Sequence, residues 1–191
     1  FVTSSNPSAG GACTGSGLSP RRIDRVVGVI KCYTTRVGAG PFPTELTDAT
    51  GEHLRQKGGE FGTTTGRPRR CGWFDAVVGR HSAMVNGVDF WAMTKLDVLD
   101  ELPAIKICTA YERDDGVRYE TFPADLSTLE RCTPVYEEMP GWMTPTSNCT
   151  RYEELPIKAR AYVERLVSLI GGRLGILSVG PARETTMRLG L

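Results

Sequence analysis

Two short runs carry residue types whose spacing could do chemistry. In Thr94-Lys95-Leu96-Asp97 a lysine and an aspartate stand two apart, directly after an apolar run. A carboxylate so placed can accept two N–H groups at once, and guanine presents such a pair at N1 and its exocyclic amine, whereas adenine does not. The lysine's aliphatic stem can lie across a purine ring. The same four residues also fit a surface lysine beside a turn-forming aspartate. In Thr63-Thr64-Thr65-Gly66-Arg67-Pro68-Arg69-Arg70, hydroxyls and a glycine precede three arginines. Amides around Gly66 can hold a carboxylate, while Arg67 and Arg69, on one side of an extended segment, can fork onto carboxylate or phosphate. A solvated basic loop or a nucleic-acid contact would have a similar composition, but the run lacks an aromatic on which a base could stack.

Other signals are weaker. Thr3-Ser4-Ser5-Asn6 and Val37-Gly38-Ala39-Gly40 can each offer amides to a phosphate or ribose, or simply turn the chain. Ser178-Val179-Gly180-Pro181 follows an apolar run and can cup a base. His53 and His81 read as structural, Asp114-Asp115 as a turn and Trp142 as packing. The six cysteines contain no C-x-x-C pair, so they read as reduced thiols outside any zinc or redox motif.

The elements that must position these residues follow from patterning. Residues 3–19, rich in Ser, Thr and Gly, predict a long loop. Pro20 to Thr35 suits a helix or a buried strand, and Pro20 at a first turn favours the helix. Residues 36–72 read as loops. Trp73 to Asn86 predicts a helix, with Phe74, Val77, Val78, His81 and Val85 on one face and a stop at Gly87. Strands are expected at Phe90–Leu96 and Ala104–Tyr111, then near 117–122 after a turn at Arg113–Gly116. Residues 123–154 read as irregular. A helix over Pro156–Ile170 should bury Ile157, Ala161, Leu166 and Ile170 before Gly171-Gly172, leading to a strand at Leu174–Leu177. Alternating strands and helices predict an α/β fold with sites beyond the strands' carboxyl ends.

At 191 residues the chain suits one domain. A net charge of +1 supplies no field for bulk nucleic acid, so phosphate recognition must rest on local arginines and lysines. No apolar run is long enough to span a membrane, and no signal peptide is visible. The chain starts Phe1-Val2-Thr3-Ser4 without an initiating methionine, which predicts a piece of something longer.

Taken in order, V-T-S-S-N with A-G-G, T-R-V-G-A-G-P-F-P-T-E, G-E-F-G-T-T-T-G-R-P-R-R-C-G-W, T-K-L-D-V-L-D, P-G-W and S-V-G-P-A-R resemble the adenylosuccinate synthetase family nearly from end to end. The resemblance implies that residues 1–191 form the C-terminal portion of a large single-domain α/β fold with a central, mostly parallel sheet, flanking helices and long substrate-binding loops. It implies GTP-dependent ligation of L-aspartate to inosine monophosphate (IMP): GTP phosphorylates the ring 6-oxygen, then the aspartate amine displaces that phosphate. IMP would contact Thr3, Val37 and Arg67. Aspartate would be held by Thr63, Thr64, Thr65, Gly66, Arg67, Pro68 and Arg69. GTP would meet Arg69, Lys95, Leu96, Asp97, Ser178, Val179 and Gly180. Mg²⁺, a homodimer and a cytoplasmic setting are implied as well. The sequence departs from the family in having no G-x-x-x-x-G-K-[ST] run or other phosphate loop with an adjacent aspartate. The family's catalytic Asp and His and its main Mg²⁺ ligands are therefore expected in an N-terminal part lying outside this chain. The chain alone is expected to be inactive, and the alternative is a stand-alone guanine-nucleotide-binding module.

Overall fold

The structure is a computed structural model and describes residues 6–190. Its central sheet runs β1 (Val27–Lys31), β5 (Phe90–Thr94), β9 (Arg173–Ser178) and β10 (Thr186–Arg188), with the first three parallel and the last antiparallel. β5 is its middle, and Phe90, Trp91, Ala92 and Met93 are all buried, as an apolar run covered on both faces requires. β1 packs so closely on β5 that a Cβ at Gly28 would lie 2.5 Å from the Trp91 ring. The parallel strands end together at Lys31, Thr94 and Ser178, so the loops that follow converge at one edge.

The predicted α/β class is therefore observed, with corrections inside it. Pro20 to Thr35 is not a helix: Pro20–Arg22 forms one 3₁₀ turn, and β1 follows. The valines and isoleucine there favour a strand once a partner is available, and β1 pairs in parallel from Val27 opposite Phe90 to Lys31 opposite Thr94. The loop expected at 3–19 contains helix α1 (Ala9–Ser16), capped by the Ser8 hydroxyl and closed by left-handed Gly17. The 36–72 stretch contains β2 (Thr34–Arg36) at its start, α2 (Ala49–Lys57) and β3 (Arg70–Gly72), with β2 and β3 paired antiparallel. Asp48 caps α2 by accepting from the Gly51 amide at 3.0 Å. A Cβ at Gly51 would meet the Leu46 carbonyl oxygen at 2.1 Å, so the residue that hides this helix from propensity is needed for its packing.

A second sheet holds β4 (Phe74–Asp75), β6 (Ala104–Arg113), β7 (Arg118–Tyr119) and β8 (Cys132–Pro140). β8 and the short helix α4 (Leu126–Glu130) lie where irregular chain was expected. The prolines that hid β8 are tolerated because it is an edge strand, paired among the described residues with β6 alone.

The two expected helices are present as α3 (Ala76–Asn86), capped by Asp75, and α5 (Ile157–Ile170). Their buried faces differ from expectation. α3 buries Ala76, Val77 and Gly79 while Val78 and Val85 are exposed, and α5 buries Ala159, Tyr162, Val163, Leu166 and Ile170 while Ile157 is 76% exposed. All six cysteines are free. Among the described residues no helix is long and apolar enough to cross a membrane.

Candidate functional site

The turn after β5 is shaped for an unusual backbone. Lys95 adopts a left-handed conformation at φ 62°, a strained choice for a residue with a side chain. It launches the 3₁₀ turn Leu96–Leu99, whose Leu96, Val98 and Leu99 are buried as anchors. Asp97 is thereby brought to a cleft of about 540 Å³, lined also by Gly58, Lys95, Ser178, Gly180 and Pro181. Residues more than eighty positions apart in sequence thus share one wall. The Asp97 Oδ1 atom is buried and has no hydrogen-bond partner among the described residues. Burial pushes its carboxyl up from the usual range; a hydrogen bond from its own backbone amide opposes this, nearby Asp100 adds to it, and Lys95 and Lys57 oppose it. A buried, unpartnered carboxylate oxygen is costly unless a donor arrives.

Lys95 directs its ammonium to the Gly58 carbonyl and, at 3.3 Å, to the Glu60 carboxylate. What it offers the cleft is therefore its aliphatic stem. Across the cleft the Ser178 hydroxyl donates to the Gly180 carbonyl at 2.7 Å, and the Val179 amide donates to the Thr185 carbonyl at 3.0 Å, which folds the S-V-G-P turn. Leu96 and Val179 are both fully buried and do not line the cleft, so the fold does not bring these two expected GTP contacts to its surface.

The threonine and arginine run forms a closed loop. Phe61 bridges Pro68, the Gly62 amide donates to the Arg67 carbonyl at 2.9 Å, and the Gly66 amide donates to the Gly62 carbonyl at 2.8 Å. Gly66 takes φ 64°, as this tight return demands. Thr63 to Pro68 are exposed at the tip, where the Thr65 hydroxyl accepts from the Arg67 amide at 3.3 Å.

The three arginines have separate environments. Arg67 is exposed. Arg69 donates to Glu60 at 2.8 Å. Arg70 forks onto Glu45 and also reaches the carbonyls of Gly38 and Gly40, so it holds the backbone next to Val37, which is 51% exposed. Thr3 lies outside the described residues.

Sequence reasoning missed Glu60, although it sits in the G-E-F-G motif. This side chain is fully buried and accepts from Lys31 Nζ at 2.8 Å to both oxygens, from the Tyr33 hydroxyl at 2.6 Å and from Arg69. Burial alone would raise its carboxyl, but those three donors outweigh it and hold the group down at about 2. The available signal was a single acid among glycines, just ahead of three arginines. Glu45 and Lys31 were also unmarked. Of the residues read as structural, Trp142 is buried with Nε1 donating to Asp100 at 2.7 Å, Asp114 and Asp115 pair with Arg131 and Arg113 at a turn, and His81 packs at a tilt against Phe122, whereas His53 Nε2 is buried with no hydrogen-bond partner among the described residues.

A cleft lined by an aspartate with one unpartnered oxygen limits the chemistry, and comparison with known proteins settles the family. A family model described as adenylosuccinate synthetase matches residues 1–187. The chain belongs to the adenylosuccinate synthetase family. It is 59% identical over 189 residues to the adenylosuccinate synthetase of Desulforudis audaxviator, covering 99% of this chain and 44% of that relative. It is 58% identical over 187 residues to that of Gloeobacter violaceus, covering 98% of this chain and 42% of the relative. The structure of fully ligated adenylosuccinate synthetase from Plasmodium falciparum superposes with a TM-score of 0.94 at 38% identity, over 99% of this chain and 45% of that one. The chain thus spans less than half the length of the adenylosuccinate synthetases it matches. The family implies Mg²⁺, yet among the described residues no three His, Cys, Asp or Glu side chains gather into a metal-sized cluster. No step assigned to this chain runs through Mg²⁺.

Proposed function

We propose that this chain supplies substrate recognition for GTP-dependent ligation of L-aspartate to IMP, giving adenylosuccinate, GDP and phosphate. The observation that carries the reading is the buried, unpartnered Oδ1 of Asp97 in the cleft lined by Lys95, Ser178 and Gly180. Guanine's N1–H and exocyclic amine meet a carboxylate's two oxygens, whereas adenine offers N1 as an acceptor and would leave the carboxylate buried and unmet. The Lys95 stem lies along one purine face, and the S-V-G-P backbone cups the ring.

The exposed hydroxyls of Thr63 to Thr65 and the Arg67 guanidinium bind the aspartate carboxylates, with Arg67 also bordering IMP. Arg69 belongs to the aspartate loop and reaches the GTP side from its base. Thr3 and the Val37 backbone contact the IMP phosphate and ribose. In the two-step reaction, the γ-phosphoryl group passes from GTP to the ring 6-oxygen and is then displaced by the aspartate amine. This chain's part is to fix the reactants in place, which alone lowers a barrier of this kind substantially. The proton-transferring Asp and His and the principal phosphate ligands belong to residues outside these 191. Mg²⁺, a homodimer and a cytoplasmic setting rest on the family resemblance alone.

The test is steady-state synthesis of adenylosuccinate by the full gene product. Arg67→Leu is expected to raise the aspartate KM by about 10- to 100-fold, the loss of charge-assisted hydrogen bonds. Wild-type aspartate saturation in that variant would refute the assignment. The 191-residue chain by itself is expected to give no product, and measurable turnover would show that the catalytic groups are misplaced.

A further inference from the structure

Glu60 gathers three cations and a hydroxyl from three separate pieces of chain. Lys31 comes from the end of β1, Tyr33 from the segment just after it, Arg69 from the base of the threonine and arginine loop, and Lys95 from the turn that carries Asp97. The main chain fixes it as well: its amide donates to the Arg55 carbonyl at 2.8 Å, and its carbonyl accepts from the Arg69 amide at 2.9 Å. Three cations surround this one carboxylate, so the cluster retains positive charge at the junction between the loop and the cleft. A carboxylate with no exposed surface persists only where its lone pairs are filled, and these are filled by Lys31, Tyr33 and Arg69, with the Lys95 ammonium paired to it at 3.3 Å.

We propose that Glu60 is a positioning residue that orients Arg69 toward the loop and Lys95 across the cleft, so that aspartate and GTP recognition depend on one buried carboxylate. The proposal rests on the substrate reading of Asp97 and Arg67 given above. It differs from a purely structural ion cluster in what its loss should change. A structural cluster would lower the melting temperature and leave the affinities of the folded protein alone. A positioning residue moves both KM values together, because both cations lose the anchor they share.

The experiment uses Glu60→Gln in the full gene product, assayed for adenylosuccinate synthesis with aspartate and GTP varied in turn. Gln keeps the volume and one acceptor oxygen, but its amide nitrogen faces a cation. The KM values for aspartate and GTP are expected to rise together, each by at least about 10-fold. If that variant does not fold, Tyr33→Phe removes only the 2.6 Å hydroxyl donor and keeps the charge, with both constants expected to rise by about 2- to 10-fold. Unchanged KM values in folded Glu60→Gln, or in Tyr33→Phe where that is the variant used, would overturn the proposal, whatever happens to the melting temperature. Asp97→Asn and Arg67→Leu run in the same assays separate the two levels. If they respond and Glu60→Gln does not, the Glu60 inference alone falls. If they are silent toward GTP and aspartate, the substrate reading falls and the inference falls with it.

Discussion

The Arg70 guanidinium forks onto the Glu45 carboxylate, Nε to Oε1 at 2.8 Å and Nη2 to Oε2 at 2.5 Å, while Nη1 reaches the carbonyls of Gly38 and Gly40 at 3.1 and 2.9 Å. One side chain therefore ties the end of the arginine loop to the backbone next to Val37. The fork holds the Glu45 carboxyl below its usual range. A lysine is a point charge and cannot make both halves of the fork.

Arg70→Lys is accordingly expected to raise the KM for IMP by about 10-fold, through a loosened Val37 loop, while leaving aspartate saturation nearly unchanged. Steady-state kinetics of the full gene product check this. An unaltered IMP constant would mean that the 37–40 backbone is held by other contacts.

Asp97 should cost the unliganded protein stability. Its folded-state carboxyl is raised by burial, so the ionised form is disfavoured at neutral pH and the penalty disappears as pH falls through the raised value. Removing the charge should remove the penalty. Asp97→Asn is thus expected to melt about 2–4 °C higher than the wild type without nucleotide, the shift of roughly 1 kcal/mol in a protein of this size. Calorimetric melting at pH 7 measures it, and a lower melting temperature would show that the unpartnered oxygen has a stabilising role.

The same shift sets a pH dependence for binding. On the proposed reading guanine needs Asp97 ionised, and a raised carboxyl takes up its proton at a higher pH than the ordinary value of about 3.9. GTP affinity is expected to weaken as pH falls toward the raised value, at a higher pH than an ordinary aspartate would require. A flat binding profile down to the ordinary carboxylate range would oppose this.

Behind Asp97, Asp100 accepts from Trp142 Nε1, the Thr146 amide and the Thr146 hydroxyl at 2.7, 2.7 and 2.9 Å. Asp100→Ala leaves buried donors unmet and should destabilise the protein by about 2–4 kcal/mol, seen as a lower urea midpoint with an unchanged slope. An unshifted midpoint would mean that the P-G-W segment repacks.

The loop motifs that carry the family resemblance were legible because they are local. Lys95 and Asp97 are two residues apart, and Thr63 to Arg70 lie within eight, so type and spacing could be read together. The strand at Phe90 and the helix ending at Ile170 were legible for the same reason, each having a strong pattern and a clear stop. β1 was misread because its valines and isoleucine satisfy two periods, and only pairing with Phe90–Thr94 decides between them. Gly51 and Pro134 concealed α2 and β8, since local propensity cannot register a close approach to Leu46 or an edge position beside Tyr111. Glu60 stayed hidden because its partners are distant: Lys31 lies 29 residues before it, and Lys95 meets it only once β5 is in the sheet. A network assembled by the fold leaves no spacing to read.

The central claim is that Asp97 selects guanine, and calorimetric titration of the full gene product with GTP, and of its Asp97→Asn variant with GTP and with xanthosine triphosphate, tests it most directly. Asparagine can still accept the N1 proton but donates to a 2-oxo group where guanine has an amine. The variant is expected to lose about 100-fold in GTP affinity and to bind the xanthine nucleotide better than the wild type does, which damaged folding could not produce. GTP affinity equal to wild type in the variant would contradict the account.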